Sequence, residues 1–457
     1  MNATQGSTRS PAAARPLHIV DRERLAAWRD RQPGSLGQWM EANRFEAAAG
    51  SVLLLPGDDG IAGAVLGVGD VRDPYSYAHA PFALPEGDWR VEDGPDEEAL
   101  RALQLGWGLG SYRFTRYRGP LRPPARLVLG APDAETDDVL AACLRVRDLV
   151  NTPTEHMGPE QLHGEMEALA GMHGARFTAV VGDALLEQGF PAIHAVGRAS
   201  HRAPRLLQLE WGDPAHPGLA LVGKGVCFDT GGLNVKAGDG MRNMKKDMGG
   251  SAHAIALAGL VMARRLPVHL TLLVPAVENV IGPLAYRPGE VVATRKGVSV
   301  EIDNTDAEGR VVLCDALAFA CEQPRALLLD FATLTGAARI ALGPDLPALY
   351  ANDDAVATQW LEAGMAQRDP VWRMPLWRPY LRYLTSHVAD IANSGSSRMG
   401  GSITAALYLE RFVPEAQPWA HLDVYAWNDN DRPGRPCGGE AQGLRSAWAM
   451  LKKRFAS

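Results

Sequence analysis

The chain is poor in lysine. Its 457 residues include seven lysines against 39 arginines, and none of the seven precedes Lys224. Four of them nonetheless fall between Lys224 and Lys246. Elsewhere the chain takes arginine wherever it needs positive charge, so this window selects a primary amine. An amine can give up its proton and act as a ligand or acid/base, whereas a guanidinium cannot. The ordinary alternative is a few lysines gathered on a solvated loop. Cysteine is sparse as well. Cys143, Cys227, Cys314, Cys321 and Cys437 are odd in number, widely spaced, and form no CxxC pair. That argues against a disulfide framework or a structural zinc site and for a reducing compartment. No apolar run approaches the roughly 20 residues of a membrane span. The opening stretch, MNATQGSTRSPAAARP, lacks the apolar core of a signal peptide and reads as a flexible tail over 1–16. A cytoplasmic protein without membrane association is expected. The formal net charge of −7 offers no footprint for nucleic acid or an anionic membrane.

What is present describes an ordinary globular protein, with 46% hydrophobic and 22% charged residues. The length calls for more than one core. Residues 17–135 alternate short apolar runs with helix-like stretches. SVLLLPG and IAGAVLGVG, at 51–57 and 61–69, read as a hairpin, and EEALRALQLGWGLGSYRF as a helix with a Gly-broken end. A helical pattern over 136–150 links this part to the next. From residue 151 to 457, buried strands alternate with helices: GLALVGKGV, VHLTLLVPAV, ALLLDFATL and WAHLDVYA are the apolar runs. The expected fold is α/β with two domains: a smaller N-terminal α/β domain and a larger C-terminal α/β domain. The latter is built on a central mixed, largely parallel sheet. Ligands of such sheets gather outside the carboxyl ends of the strands.

Acidic residues cluster where strands give way to loops or helices. Asp229 follows LVGKGVCF and precedes TGG; Asp247 lies in MKKDMGGSAH; Asp306 and Glu308 flank Ala307 in NTDAEGR. A carboxylate at a helix N-terminus is worth about 0.3–1 kcal/mol by itself, so capping explains each one singly. Capping does not explain why four carboxylates accompany Lys224 and Lys236. Together they suit a pair of divalent cations bridged by carboxylates. His253 reads as a helix residue, Gly67–Gly69 as a turn, VGKG as lacking the preceding glycine spacing of a phosphate loop, and Trp372 and Trp377 as packing residues.

These segments resemble the leucine aminopeptidase family, the M17 cytosolic metallo-aminopeptidases. NTDAEGR at 304–310 is that family's signature, and VGKGVCFDTGGLNVK, MKKDMGG, RDLVNTPTEHMGPEQL, DFATLTGAARIALG and GGSITAALYLERFV also match. The likeness covers roughly 147–424; the first 146 residues match weakly, except GSYRFTRY at 110–117. The resemblance implies a two-metal aminopeptidase of leucyl type acting on peptides with a free N-terminus, with a metal-bridging water as nucleophile. Lys224, Asp229, Asp247 and Glu308 would hold one ion, manganese or zinc; Asp229, Asp306 and Glu308 would hold the other. A liganding Lys224 would have to be neutral, which arginine could not be. Lys236 would stabilise the oxyanion. Arg310 would seat a bicarbonate as general base, its fork suiting a planar oxyanion. Asp247 would also take the substrate's α-amine, Met244 would line the pocket for the first side chain, and Thr333, Leu334 and Gly336 would line the cleft. The resemblance further implies a homohexamer.

Two departures stand out. Lys246 precedes Asp247 where the family often has an uncharged residue, and after His421-Leu422-Asp423 the chain continues as VYAWNDNDRPGRPCGGEAQG. The divergent 424–443 segment would sit near the specificity pocket. A DNA-binding regulatory protein and a catalytically inactive homologue are the competing readings. The acidic balance opposes the first, and the complete set of site residues opposes the second.

Overall fold

Two compact units make up the chain, and they do not follow one another simply in sequence. The first runs to Leu144 and also takes in 429–437; the second comprises 145–428 and 438–457. The computed structural model describes residues 7–8 and 14–456, apart from 59, 93, 94, 396 and 398. Most of the tail expected over 1–16 lies outside the described residues. Within that stretch, Ser7–Thr8 pairs in parallel with Arg126–Val128, and a strand begins at Arg15. The expected linker helix spans Ala134–Asn151, and the division between units falls inside it.

In the first unit, Val52–Gly57 and Gly60–Gly67 form the antiparallel hairpin that two apolar runs around a turn suggest. They close one side of a six-stranded sheet whose other pairings, through Arg15–Val20, Asp88–Val91 and Arg126–Val128, are parallel. Leu17, Leu66, Trp89, Trp107 and Leu127 fill its core. Helix Glu97–Ser111 is N-capped by the Asp96 carboxylate, which accepts from the Ala99 N–H. Its glycines do not break it. A Cβ at Gly106 would lie 1.9 Å from the Pro74 carbonyl oxygen, and one at Gly110 2.1 Å from that of Ala78. The glycines let this helix lie directly on the 74–78 backbone. Within the same unit, Arg435 stacks over the Tyr75 ring at 3.9 Å. The divergent segment therefore contributes its middle part, 429–437, to the first unit.

The second unit is built on a nine-stranded mixed sheet. Its middle, Trp419–Asp423, Leu327–Ala332, Gly218–Gly223 and His269–Asn279, is parallel throughout. Ala348–Ala351 on one side and Arg205–Trp211 on the other flank it antiparallel, and Arg176–Val181 pairs antiparallel with Arg205–Trp211. The central strands are buried along all but their first residues, as their unbroken apolar runs require. Helix Gly249–Ala263 packs on Gly218–Gly223 and Leu327–Ala332, and helix Glu308–Ala320 on His269–Asn279 and Gly218–Gly223.

One expected strand is two. GLALVGKGV splits at Lys224 into Gly218–Gly223 and Gly225–Asp229, and among the described residues the second piece pairs only with His269–Asn279. At the break, the Lys224 N–H donates to the Phe331 carbonyl, and its own carbonyl accepts from the Ser251 N–H. The backbone groups that leave the ladder are thus satisfied, and Lys224 stands at the carboxyl end of the parallel strands.

Candidate active site

Beyond those strand ends lies a cleft of about 390 Å³. Lys224, Asp229, Lys236, Met244, Asp247, Asp306, Glu308, Thr333, Leu334 and Gly336 all line it. Arg310 does not. It is buried in the first turn of helix Glu308–Ala320, where one guanidinium nitrogen donates to the Asn393 carbonyl at 2.8 Å. Its Nε has no hydrogen-bond partner among the described residues.

The loops that carry the carboxylates are tied together by neutral side chains. After Asp229 the chain turns through Gly231 and Gly232, at φ values of 87° and 61° that favour glycine. The Asp229 carboxylate accepts from the Gly231 N–H and from Asn279 Nδ2, each at 2.8 Å. Asn279 also donates to the Thr305 carbonyl, as does the Tyr286 hydroxyl. The Thr305 hydroxyl donates to the Gly231 carbonyl at 2.6 Å, and its N–H donates to Asn234 Oδ1. Asp247 sits on the short turn Met244–Met248 and accepts from the Thr333 hydroxyl at 2.8 Å.

Charge is concentrated here and withdrawn from water. Lys224, Asp229, Asp247 and Glu308 are each no more than 3% exposed. The Lys224 amine lies 2.7 Å from Asp247 Oδ2 and 2.9 Å from Glu308 Oε1, and it donates to the Thr333 carbonyl. Lys236 lies 2.9 Å from Asp229 Oδ2 and also contacts Asp306. Burial opposes the charge of both lysines, but the surrounding carboxylates outweigh it and hold both above the usual amine range. Burial and the charge of Asp247 push Asp229 up to about 6; burial and the charge of Asp229 push Glu308 up to about 8. Asp247 moves the other way. Burial alone would raise it, but the ammonium groups of Lys224 and Lys246 hold it below the usual carboxylate range. Lys246 is pushed down to about 8, chiefly by burial.

The four carboxylates outnumber the two lysine amines they contact, and the unsatisfied atoms show where positive charge is short. Asp247 Oδ2, Asp306 Oδ1 and Glu308 Oε1 face ammonium groups but meet no donor in hydrogen-bond geometry among the described residues. Asp229, Asp306 and Glu308 each offer an oxygen, and the three lie within 4.8 Å of one another. Hard oxygen donors converging at such spacing, with excess negative charge, fit divalent cations.

Several residues that shape the cleft carry no signal of their own in the sequence. Asp423 is buried and accepts from the Leu334 and Thr335 N–H groups and from the Thr335 hydroxyl. It fixes the loop that follows Leu327–Ala332, at the cost of occupying the Leu334 N–H. The Thr333 carbonyl is likewise occupied, by Lys224. Asn279 and Thr305 lie at a strand end and in a turn, where their types are common. Val424 and Tyr425, from the divergent segment, do line the cleft. His253 accepts from the Gln442 N–H and is bonded to the Gly249 carbonyl, which makes it a buried helix residue. Trp372 and Trp377, expected to pack, are more than half exposed.

Fold and cleft together define a two-domain α/β protein with a carboxylate-rich, cation-seeking site. The model for the catalytic domain of the cytosol aminopeptidase family matches residues 145–447, and that for the N-terminal domain of M17 aminopeptidases matches 15–130. The chain belongs to the cytosol aminopeptidase family. A probable cytosol aminopeptidase of Syntrophotalea carbinolica is 37% identical, over 94% of this chain and 96% of its own length. A crystal structure of the cytosol aminopeptidase of Coxiella burnetii is 46% identical, covers 98% of both chains, and superposes with a TM-score of 0.94. The bottromycin maturation enzyme BotP, in complex with Mn, is 33% identical over 97% of this chain and 100% of its own, with a TM-score of 0.87. The likeness makes this chain a peptidase of that family. No helix among the described residues is long and apolar enough to cross a membrane.

Proposed function

We propose that the chain is a two-metal aminopeptidase of leucyl type, removing the first residue of peptides with a free N-terminus in the cytoplasm. The observation that carries this reading is the convergence of Asp229, Asp247, Asp306 and Glu308 with Lys224 and Lys236 at one cleft. Lys224, Asp229, Asp247 and Glu308 would hold one cation, and Asp229, Asp306 and Glu308 the other. Manganese is favoured by its presence in the BotP structure, and zinc by the family resemblance. Bound there, the ions would supply Lewis acidity, polarising a carbonyl and acidifying the water that serves as nucleophile.

The chain's own residues do the rest. Carboxylates alone hold the Lys224 amine protonated, so its change to a neutral ligand depends on competing positive charge. The Lys236 ammonium would stabilise negative charge developing on the carbonyl oxygen. Asp247, oriented by the Thr333 hydroxyl, would bind the α-amine and so confine cleavage to the first peptide bond. Arg310 would seat a planar oxyanion such as bicarbonate, which supplies a proton acceptor; its single hydrogen bond and unpaired Nε support this. The experiment is hydrolysis of a leucine chromogenic amide before and after chelation, with bound metal counted in parallel. Activity that follows Mn²⁺ or Zn²⁺ content is expected. Full activity in metal-free protein would refute the reading.

A further inference from the structure

Two cations of the cleft have no part in the reading above: Lys246 and Arg339. Lys246 lies on the turn Met244–Met248 and is only 6% exposed. Among the described residues its amine makes no hydrogen bond or ion pair; it lies 5.1 Å from the centroid of the Tyr425 ring. Arg339, exposed on helix Gly336–Leu342, lies over the same ring at 4.4 Å. An ammonium on a largely buried side chain with no anion in contact is costly, and contact with an aromatic face returns only part of that cost. Two cations gathered at one ring also repel each other. An anion reaching both would relieve both penalties.

No described residue supplies that anion in contact; Asp247 attracts the Lys246 ammonium only from a distance. Asp423 is committed to Leu334 and Thr335. Asp247 is directed at Lys224 and Thr333, and lies beyond ion-pair distance of the Lys246 amine. The substrate can supply it. Lys246 is the residue immediately before Asp247, which on the proposed reading anchors the α-amine, so the cation stands beside the first residue of a bound peptide.

We propose that the cleft selects peptides whose first residue carries a carboxylate, glutamate or aspartate, with Lys246 and Arg339 as the specificity-determining cations. The proposal rests on the aminopeptidase reading. Its test compares kcat/KM of the Mn²⁺-supplied full chain on the coumarin amides of Leu, Gln, Glu, Asp and Lys. These substrates share a leaving group and have no C-terminal carboxylate. The Glu amide should exceed the isosteric Gln amide by about tenfold or more, the usual worth of a hydrogen bond to a charged group, and the Lys amide should be poorest. Lys246→Met should bring the Glu-to-Gln ratio close to one. Arg339→Gln, at an exposed position where folding is not at risk, should lower it severalfold. Calorimetry should show L-glutamate binding more tightly than L-glutamine, a readout independent of turnover. Equal rates for the Glu and Gln amides, or a ratio unmoved in both variants, would overturn this proposal and leave the aminopeptidase reading standing. A preference for Leu-Gly over Leu-Gly-amide without one for Glu would assign the cations to the peptide's other end, overturning it equally. No hydrolysis of any amide would overturn both readings.

Discussion

At the scale of single residues, the site separates two uses of lysine that look alike in sequence. Both Lys224 and Lys236 sit between carboxylates, but Lys224 is held by three partners in a nearly closed space, and Lys236 by two at the cleft wall. On the proposed reading one becomes a neutral ligand and the other remains a cation. Lys224→Arg should therefore lose both bound metal and activity. Lys236→Arg should keep metal, measured by plasma mass spectrometry, and lose roughly 10²–10³ in kcat. Equal metal content in wild type and Lys224→Arg would remove Lys224 from the ligand set. Arg310 poses a different question, because it is buried away from the cleft wall. Arg310→Ala strands the Asn393 carbonyl, which should cost about 1–3 kcal/mol in chemical denaturation. If it also seats the general base, kcat should fall by roughly 10²–10⁴ at unchanged metal content, and wild-type activity should fall in bicarbonate-free buffer. A loss of stability without a loss of kcat would leave Arg310 a purely structural residue.

At the scale of elements, the decisive feature is the meeting of a strand break with a helix start. A Cβ on Gly309, in the first turn of helix Glu308–Ala320, would lie 2.6 Å from Lys224 Cε and 2.7 Å from its Nζ. Three atoms of a buried, ion-paired side chain would have to yield, since Cδ also lies within 2.8 Å. Alanine is the better helix former by about 1 kcal/mol, which offsets only part of the cost of breaking a buried pair. Gly309→Ala should thus displace the Lys224 amine from Asp247 and Glu308 and lower Tm. The expected signature is weakened metal retention and a reduced kcat in a protein that still folds. Normal metal retention in this variant would show that the close approach of helix and lysine does not matter to the site.

At the scale of the whole molecule, bound cations should stabilise the fold by mass action. An ion present at a hundred times its dissociation constant adds about 2.7 kcal/mol, so chelation should lower Tm and Mn²⁺ should restore it. Trp372 and Trp377 bear on assembly. Both are exposed within one chain, as are Val388 and Met399, and large apolar side chains left in water suit an interface. A homohexamer, proposed from the family resemblance, predicts a particle near six times 49.1 kDa in sedimentation. Monomer alone at micromolar protein would refute it.

The sequence by itself determined the α/β class, the hairpin at 52–67 and the segments that meet at the cleft. Each of these is written in local terms: strings of apolar residues, turn residues, and short motifs whose members lie within a few positions of each other. It did not determine that GLALVGKGV breaks at Lys224, that Gly106 and Gly110 serve close packing, or that 429–437 belongs to the first unit. Those outcomes depend on what the rest of the chain brings alongside: the Phe331 carbonyl, the 74–78 backbone, the Tyr75 ring. Lys246 makes the same point. In sequence it is one more basic residue in a basic stretch. Only tertiary structure, by setting its amine over Tyr425 beside Arg339 while turning the Asp247 carboxylate toward Lys224 and Thr333, left it without a contacting anion among the described residues.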